Sequence, residues 1–121
     1  MPDPRNKASF DLAEQYKDRI ELYLKMNSSI DRAFTSTRLA EIFGIKEAVT
    51  IRQAIGKARD DGAPIASGST GYFYAKTPDE LTKTIADLNS RIAAIGRRRD
   101  ALIEARIKMS GGPKQETMFN E

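Results

Sequence analysis

The stretch IASGSTGYFYAK, residues 65–76, restricts this chain more than any other. Gly68, Ser69, Thr70 and Gly71 interrupt any helix, and Tyr72, Phe73 and Tyr74 follow them directly. Aromatic residues favour strand, and glycine disfavours regular structure. Two short extended runs, PIAS and GYFYAK, joined by GST, predict a hairpin with a glycine-rich tip. A phosphate-cradling loop is the competing reading. That loop needs lysine and then serine or threonine directly after its last glycine, at the start of a helix. Gly71 is followed by Tyr72-Phe73-Tyr74 instead, so the hairpin reading wins.

Upstream of the hairpin the pattern is helical. Residues 1–9 read as a flexible N-terminus. A helix is predicted from Asp11, with Asp11 and Glu14 as its start signal and Leu12, Tyr16, Ile20, Tyr23 and Leu24 on one apolar face. Asn27-Ser28-Ser29 ends it. TSTRLAEIFGI then offers Thr35 or Ser36 as the cap of a short helix that carries Leu39, Ile42 and Phe43 on one side. Gly44 stops that helix. KEAVTIRQAIGKARDDG predicts a third helix, closed by Gly62 and Pro64, with Ala48, Ile51, Ile55 and Ala58 as its buried stripe.

Downstream, residues 77–109 read as one long helix. Thr77 is its expected cap, Pro78 its first position, and Glu80 the partner of a capping box. Leu81, Leu88, Ile95, Leu102 and Met109 recur at heptad spacing, with Ile85 and Ile92 between them. Isoleucine at a and leucine at d suit a two-stranded parallel coiled coil. Arg99 and Arg106 occupy the next two a positions and, with Gly96, weaken the seam. The helix either pairs with a second copy, giving a homodimer, or packs on its own domain. Residues 110–121 read as a flexible tail.

Composition excludes several functions. With 121 residues the chain is expected to hold one domain and an extension. No cysteine means no disulfide, thiolate nucleophile or cysteine zinc site, and no histidine removes the commonest general base and metal ligand. The acid pairs Asp60-Asp61 and Asp79-Glu80 have local jobs at helix ends. No catalytic residue, metal or cofactor is expected, and the chain reads as no enzyme. The start MPDPRNKASF does not read as a signal peptide, and no apolar run is long enough to span a bilayer, so a cytoplasmic protein with no membrane partner is expected. A net charge of +3 permits a polyanionic partner without requiring one.

The order helix, short helix, tight turn, helix, hairpin resembles the winged helix-turn-helix fold. The residues that carry the resemblance are TSTRLAEIFGI and TIRQAIGKARDDGAPIASGSTGYFYA. In detail the chain is similar to small winged-helix proteins of phages and prophages, in which the glycine–tyrosine strand runs into an acidic helix start, as GYFYAKTPDEL does here. The fold class expected is therefore mainly α with a small β-hairpin: a winged helix-turn-helix over 10–76, followed by the long helix. The resemblance makes the hairpin tip a wing and turns Tyr72 and Tyr74 inward. One departure is that GIKEAVTIR carries an extra residue and lacks a serine or threonine cap on the third helix.

Double-stranded DNA is the partner such a fold implies. The face of the third helix opposite Ile51, Ile55 and Ala58 selects Thr50, Gln53 and Lys57, with Arg52 on the flank and Gly56 between them. Glutamine pairs bidentately with adenine, threonine touches a thymine methyl or a phosphate, and arginine reads guanine. Arg38 and Lys46, and Ser69, Thr70 and Lys76 on the wing, are candidates for phosphate contacts, which set register and salt dependence. Arg97-Arg98-Arg99 reads as a solvated helix surface. The tail segment QETMF resembles the peptide that binds bacterial sliding clamps, through Gln115, Met118 and Phe119. Three functions follow: a dimeric phage-type transcriptional regulator, a replication or host-takeover accessory that holds the clamp, or a winged-helix module for protein contacts.

Overall fold

The computed structural model describes the backbone of residues 4–111 and the side chains of residues 11–111. The fold is mainly α with one small hairpin. Its elements are α1 (Pro4–Asn27), α2 (Ser36–Phe43), α3 (Ala48–Asp60), β1 (Ile65–Gly68), β2 (Gly71–Tyr74) and α4 (Asp79–Met109). The first helix thus begins at Pro4 rather than Asp11, so most of the stretch read as a flexible N-terminus is helical backbone.

The short elements start and stop for local reasons. The Thr35 hydroxyl caps α2 by accepting from the Arg38 N–H at 3.0 Å, which selects Thr35 over Ser36. Gly44 ends α2 at φ +65°, a left-handed conformation that suits glycine. Glu47 precedes α3 without a side-chain cap, as the departure in the sequence indicated. At α4 the Glu80 carboxylate accepts from the Lys76 N–H at 2.8 Å, one residue ahead of the expected partner Thr77.

Two units divide the chain, residues 1–84 and residues 85–121. In the first, Ala13, Ile20 and Leu24 of α1 share a core with Leu39 and Ala40 of α2, Ile51, Ala54, Ile55 and Ala58 of α3, and Ile65 of β1. Tyr23 stands edge-on to Phe34 and to Phe43, with ring centroids 5.5 and 5.6 Å apart. Leu12, expected on the buried face of α1, is exposed, because the stripe runs through Ala13 instead.

The hairpin is antiparallel, with Ile65 opposite Tyr74 and Ala66 opposite Phe73, and Ser69-Thr70 forms its tip. Its two faces are both covered. Tyr72 and Tyr74 pack half-buried on the main core, while Phe73, Ala66 and Ala75 form a second small core with Ala33 and Leu81. Phe34 adds an isolated bridge to the other edge of β2: it donates to the Tyr72 carbonyl at 2.9 Å and accepts the Tyr72 N–H at 2.8 Å. Buried Ser28 ties the end of α1 to the same strand, accepting the Tyr74 N–H at 2.8 Å and donating to the Leu24 carbonyl at 2.6 Å. The outer edge of β1 is closed by Thr84, whose hydroxyl accepts from the Ser67 N–H at 3.0 Å.

In the second unit, α4 continues to Met109 as a single helix. Leu81 and Thr84 belong to the first unit, so the free heptad seam begins at Ile85, one layer later than the sequence pattern indicated.

Candidate nucleic-acid interface

The sequence places the candidate contacts on α2, on the turn before α3, on α3 itself and on the hairpin. Arg38 is exposed on α2, with its guanidinium 3.7 Å from Glu41. Lys46 is exposed in the turn opened by Gly44. Arg52 is exposed on α3, and its Nη1 donates to the Ser36 hydroxyl at 3.3 Å, which links the outer side of α3 to the first turn of α2. Gln53 is half-buried beside it.

Two of the expected readers do not stand where the sequence put them. Thr50 is only 2% exposed and is part of the buried side of α3. The reason is geometric: residues 50, 54 and 58 form one row at four-residue spacing, and Ala54 and Ala58 are both buried. Lys57 leans toward α1, where its Nζ lies 3.0 Å from the Glu14 carboxylate and only 18% of its side chain is exposed. The outward ridge of α3 instead runs through Val49, Arg52, Gln53, Gly56 and Asp60. Val49, 39% exposed, is the member that sequence reasoning missed. An apolar side chain gives no signal of a polar contact, and only its row, one step round from Thr50, marks it as outward. A Cβ built on Gly56 would meet nothing within 4 Å, so internal packing does not require glycine there.

On the hairpin, Ser69 and Thr70 are exposed at the tip. Lys76 is exposed too, but it lies beyond β2 at the base of the hairpin, roughly 15–20 Å of extended chain from Thr70. The structure therefore separates it from the tip. Exposed acids share these elements, with Glu41 on α2 and Glu47 and Asp60 at the ends of α3, so the surface carries both signs of charge. Gln115, Met118 and Phe119 lie outside the described residues.

The back of α3 is held by an ionic cluster. Glu14 of α1 sits between Lys57 and Lys17, 3.0 and 3.5 Å away, and Lys17 also pairs with Asp61 just past α3. The hydrogen bond from Lys57, helped by the charge of Lys17, pulls the Glu14 carboxyl below its ordinary 4.5. The hydrogen bond to Asp61 raises the Lys17 ammonium above its ordinary 10.5, against the desolvation that opposes it. A lowered carboxyl stabilises the fold above its unfolded pKa, and that contribution is lost as the pH falls through the folded value. A raised ammonium stabilises below its unfolded pKa and is lost as the pH rises through the folded value. Glu14→Gln is therefore expected to lower stability at neutral pH by an increment that begins to shrink as the pH drops through 4.5 and is gone once the pH lies below the lowered folded value, read from urea midpoints of both proteins at several pH values. An increment unchanged at low pH would contradict the assignment.

Among the described residues no group of three or more histidine, cysteine, aspartate or glutamate side chains is placed to hold a metal ion, and no helix is long and apolar enough to cross a membrane. No known protein family, curated protein or solved structure matches the chain.

Proposed function

We propose that the chain binds duplex DNA, with the ridge of α3 in a major groove and the tip Ser69-Thr70 against the adjacent backbone, as a phage- or prophage-type transcriptional regulator acting as a dimer. The observation that carries this reading is the outward ridge of α3: Arg52 exposed, Gln53 half-buried beside it, and nothing within 4 Å of a Cβ built on Gly56. Arginine and glutamine are side chains that read base edges bidentately, and a side-chain-free position lets a sugar–phosphate backbone come close. The order α1, α2, turn, α3, hairpin, with the isolated Phe34 bridge on the second edge of β2, is compatible with a winged helix.

Arg52→Ala is expected to weaken binding to a selected duplex by about 1–3 kcal/mol while leaving the fold intact, and Lys46→Ala to reduce the slope of log affinity against log salt by about one. Both are read from salt-titrated mobility shifts. Duplex affinity unaffected by either substitution would count against the reading and in favour of a module for protein contacts. The QETMF segment supports a second reading, a replication accessory that holds the sliding clamp. Deleting residues 112–121 separates the two: the regulator keeps duplex binding, and the accessory loses capture by the clamp.

A further inference from the structure

Among the described residues, the long helix carries a row of exposed apolar side chains. From Ile85 to Met109, the side chains of Ile85, Leu88, Ile92, Ile95, Leu102 and Met109 are between 39% and 88% exposed. They fall at a and d positions of one heptad frame, so they form a single seam roughly 37 Å long at 1.5 Å per residue. Isolated apolar residues on a surface are ordinary, but a stripe of this length, interrupted at Arg99 and Arg106, marks an interface.

We propose that a second copy of this chain closes the seam as a parallel, in-register, two-stranded coiled coil beginning at Ile85. The proposal names the interface for the dimer put forward above and does not depend on duplex binding. Three observations select this occupant. A heptad stripe is complementary to itself, since an identical helix presents the same layer every seven residues. Isoleucine at the a positions 85 and 92 with leucine at the d positions 88 and 102 favours parallel pairs, Ile95 being the one d position that does not add to that preference. The six side chains expose on the order of 600 Å² per helix, so pairing would bury about 1,200 Å², within the range of stable specific interfaces.

The charges give the pairing a signature. Between Ile85 and Met109, Arg91, Arg97, Arg98, Arg99, Arg106 and Lys108 outnumber Asp87, Asp100 and Glu104. In register, Arg99 meets Arg99 of the other copy and Arg106 meets its own counterpart. Arg99 lies 3.0 Å from the Asp100 carboxylate, which neutralises part of that charge. Net repulsion remains and is screened by salt. Dimerisation therefore tightens as salt rises, the opposite of duplex binding.

The test uses the full chain without DNA. Sedimentation equilibrium is expected to show a monomer–dimer equilibrium that tightens severalfold between about 0.05 and 0.5 M sodium chloride. Arg99→Ile is expected to tighten it roughly tenfold and Ile92→Lys to weaken it by a similar factor or more, with the helical circular dichroism of both variants retained. The chain has no cysteine, so Ile92→Cys and Leu102→Cys each carry a single thiol. In-register parallel pairing makes both variants cross-link to themselves on oxidation. Dimers in which either variant fails to cross-link to itself would overturn the in-register parallel arrangement. Monomers throughout, Arg99→Ile included, would overturn the dimer. So would monomers that co-sediment with anionic phospholipid vesicles, which would assign the seam to a lipid surface.

Discussion

Replacing Gly71 by alanine is expected to cost about 3 kcal/mol or more of unfolding free energy. Two effects add. Gly71 has φ +130°, where an L side chain is strained. Its missing Cβ would also lie 2.5 Å from both the carbonyl carbon and the oxygen of Phe34, and 2.8 Å from the Thr35 nitrogen. These are backbone atoms, fixed by the Phe34–Tyr72 bridge and by the cap on α2, so no rotamer change relieves the overlap. Gly44 is the control. Its φ is +65° and a Cβ there meets nothing within 4 Å, so Gly44→Ala should lose only about 1–2 kcal/mol, the cost of the left-handed backbone. Urea midpoints at unchanged m-value read the difference. Equal losses at the two sites would mean that the hairpin can slide away from Phe34 at little cost. Since that contact orients the tip, Gly71→Ala should also reduce duplex affinity in whatever fraction stays folded.

Ile51→Ala should destabilise the domain by a similar amount, about 3–4 kcal/mol. Ile51 is fully buried in the cluster that also holds Ile20 and Leu24 of α1 and Leu39 of α2. Truncation removes three carbons from the place where three helices meet, and those helices are too constrained by the hairpin and its bridges to collapse into the gap. Ile51→Val removes one methylene and should cost about 0.5–1.5 kcal/mol. Arg52→Ala, one residue away but exposed, should stay within about 0.5 kcal/mol in stability while changing duplex binding. Thermal or urea unfolding of the three variants checks the ordering. A mild Ile51→Ala would indicate that α3 is seated loosely, and a loosely seated helix cannot aim a ridge at base edges.

Much of this architecture was legible along the chain. Gly44 ends α2, a hydroxyl at Thr35 or Ser36 caps it, and the long helix runs unbroken to Met109, because capping, positive φ and heptad spacing are set by residues within a few positions of one another. The hairpin belongs with these, since GST followed by three aromatics leaves few alternatives. The bridge at Phe34 was not legible. A single paired residue between two helices has no periodicity, and its partner Tyr72 is far along the chain.

The candidate interface was legible only in part. Arg38, Lys46, Arg52, Ser69 and Thr70 are exposed on the elements expected to carry them, whereas Thr50 is buried and Lys57 is held by Glu14. A row on α3 differs from its neighbour by one residue, or about 100°, and both rows contain short side chains that fit either side. Lys57 is long enough to reach solvent or a carboxylate on α1, and nothing near it in sequence chooses between them.

The amino-acid order alone determined that there are four helices, where α2 stops, that a glycine-tipped hairpin follows α3, and that α4 carries a heptad stripe. All of these are short-range consequences of backbone preference and spacing. Tertiary structure alone decided that Val49 rather than Thr50 faces outward, that Lys57 is engaged by α1, that Gly71 has no room for a Cβ and that the free seam begins at Ile85. Each depends on how closely another segment approaches in space, which is set by packing distant parts of the chain together.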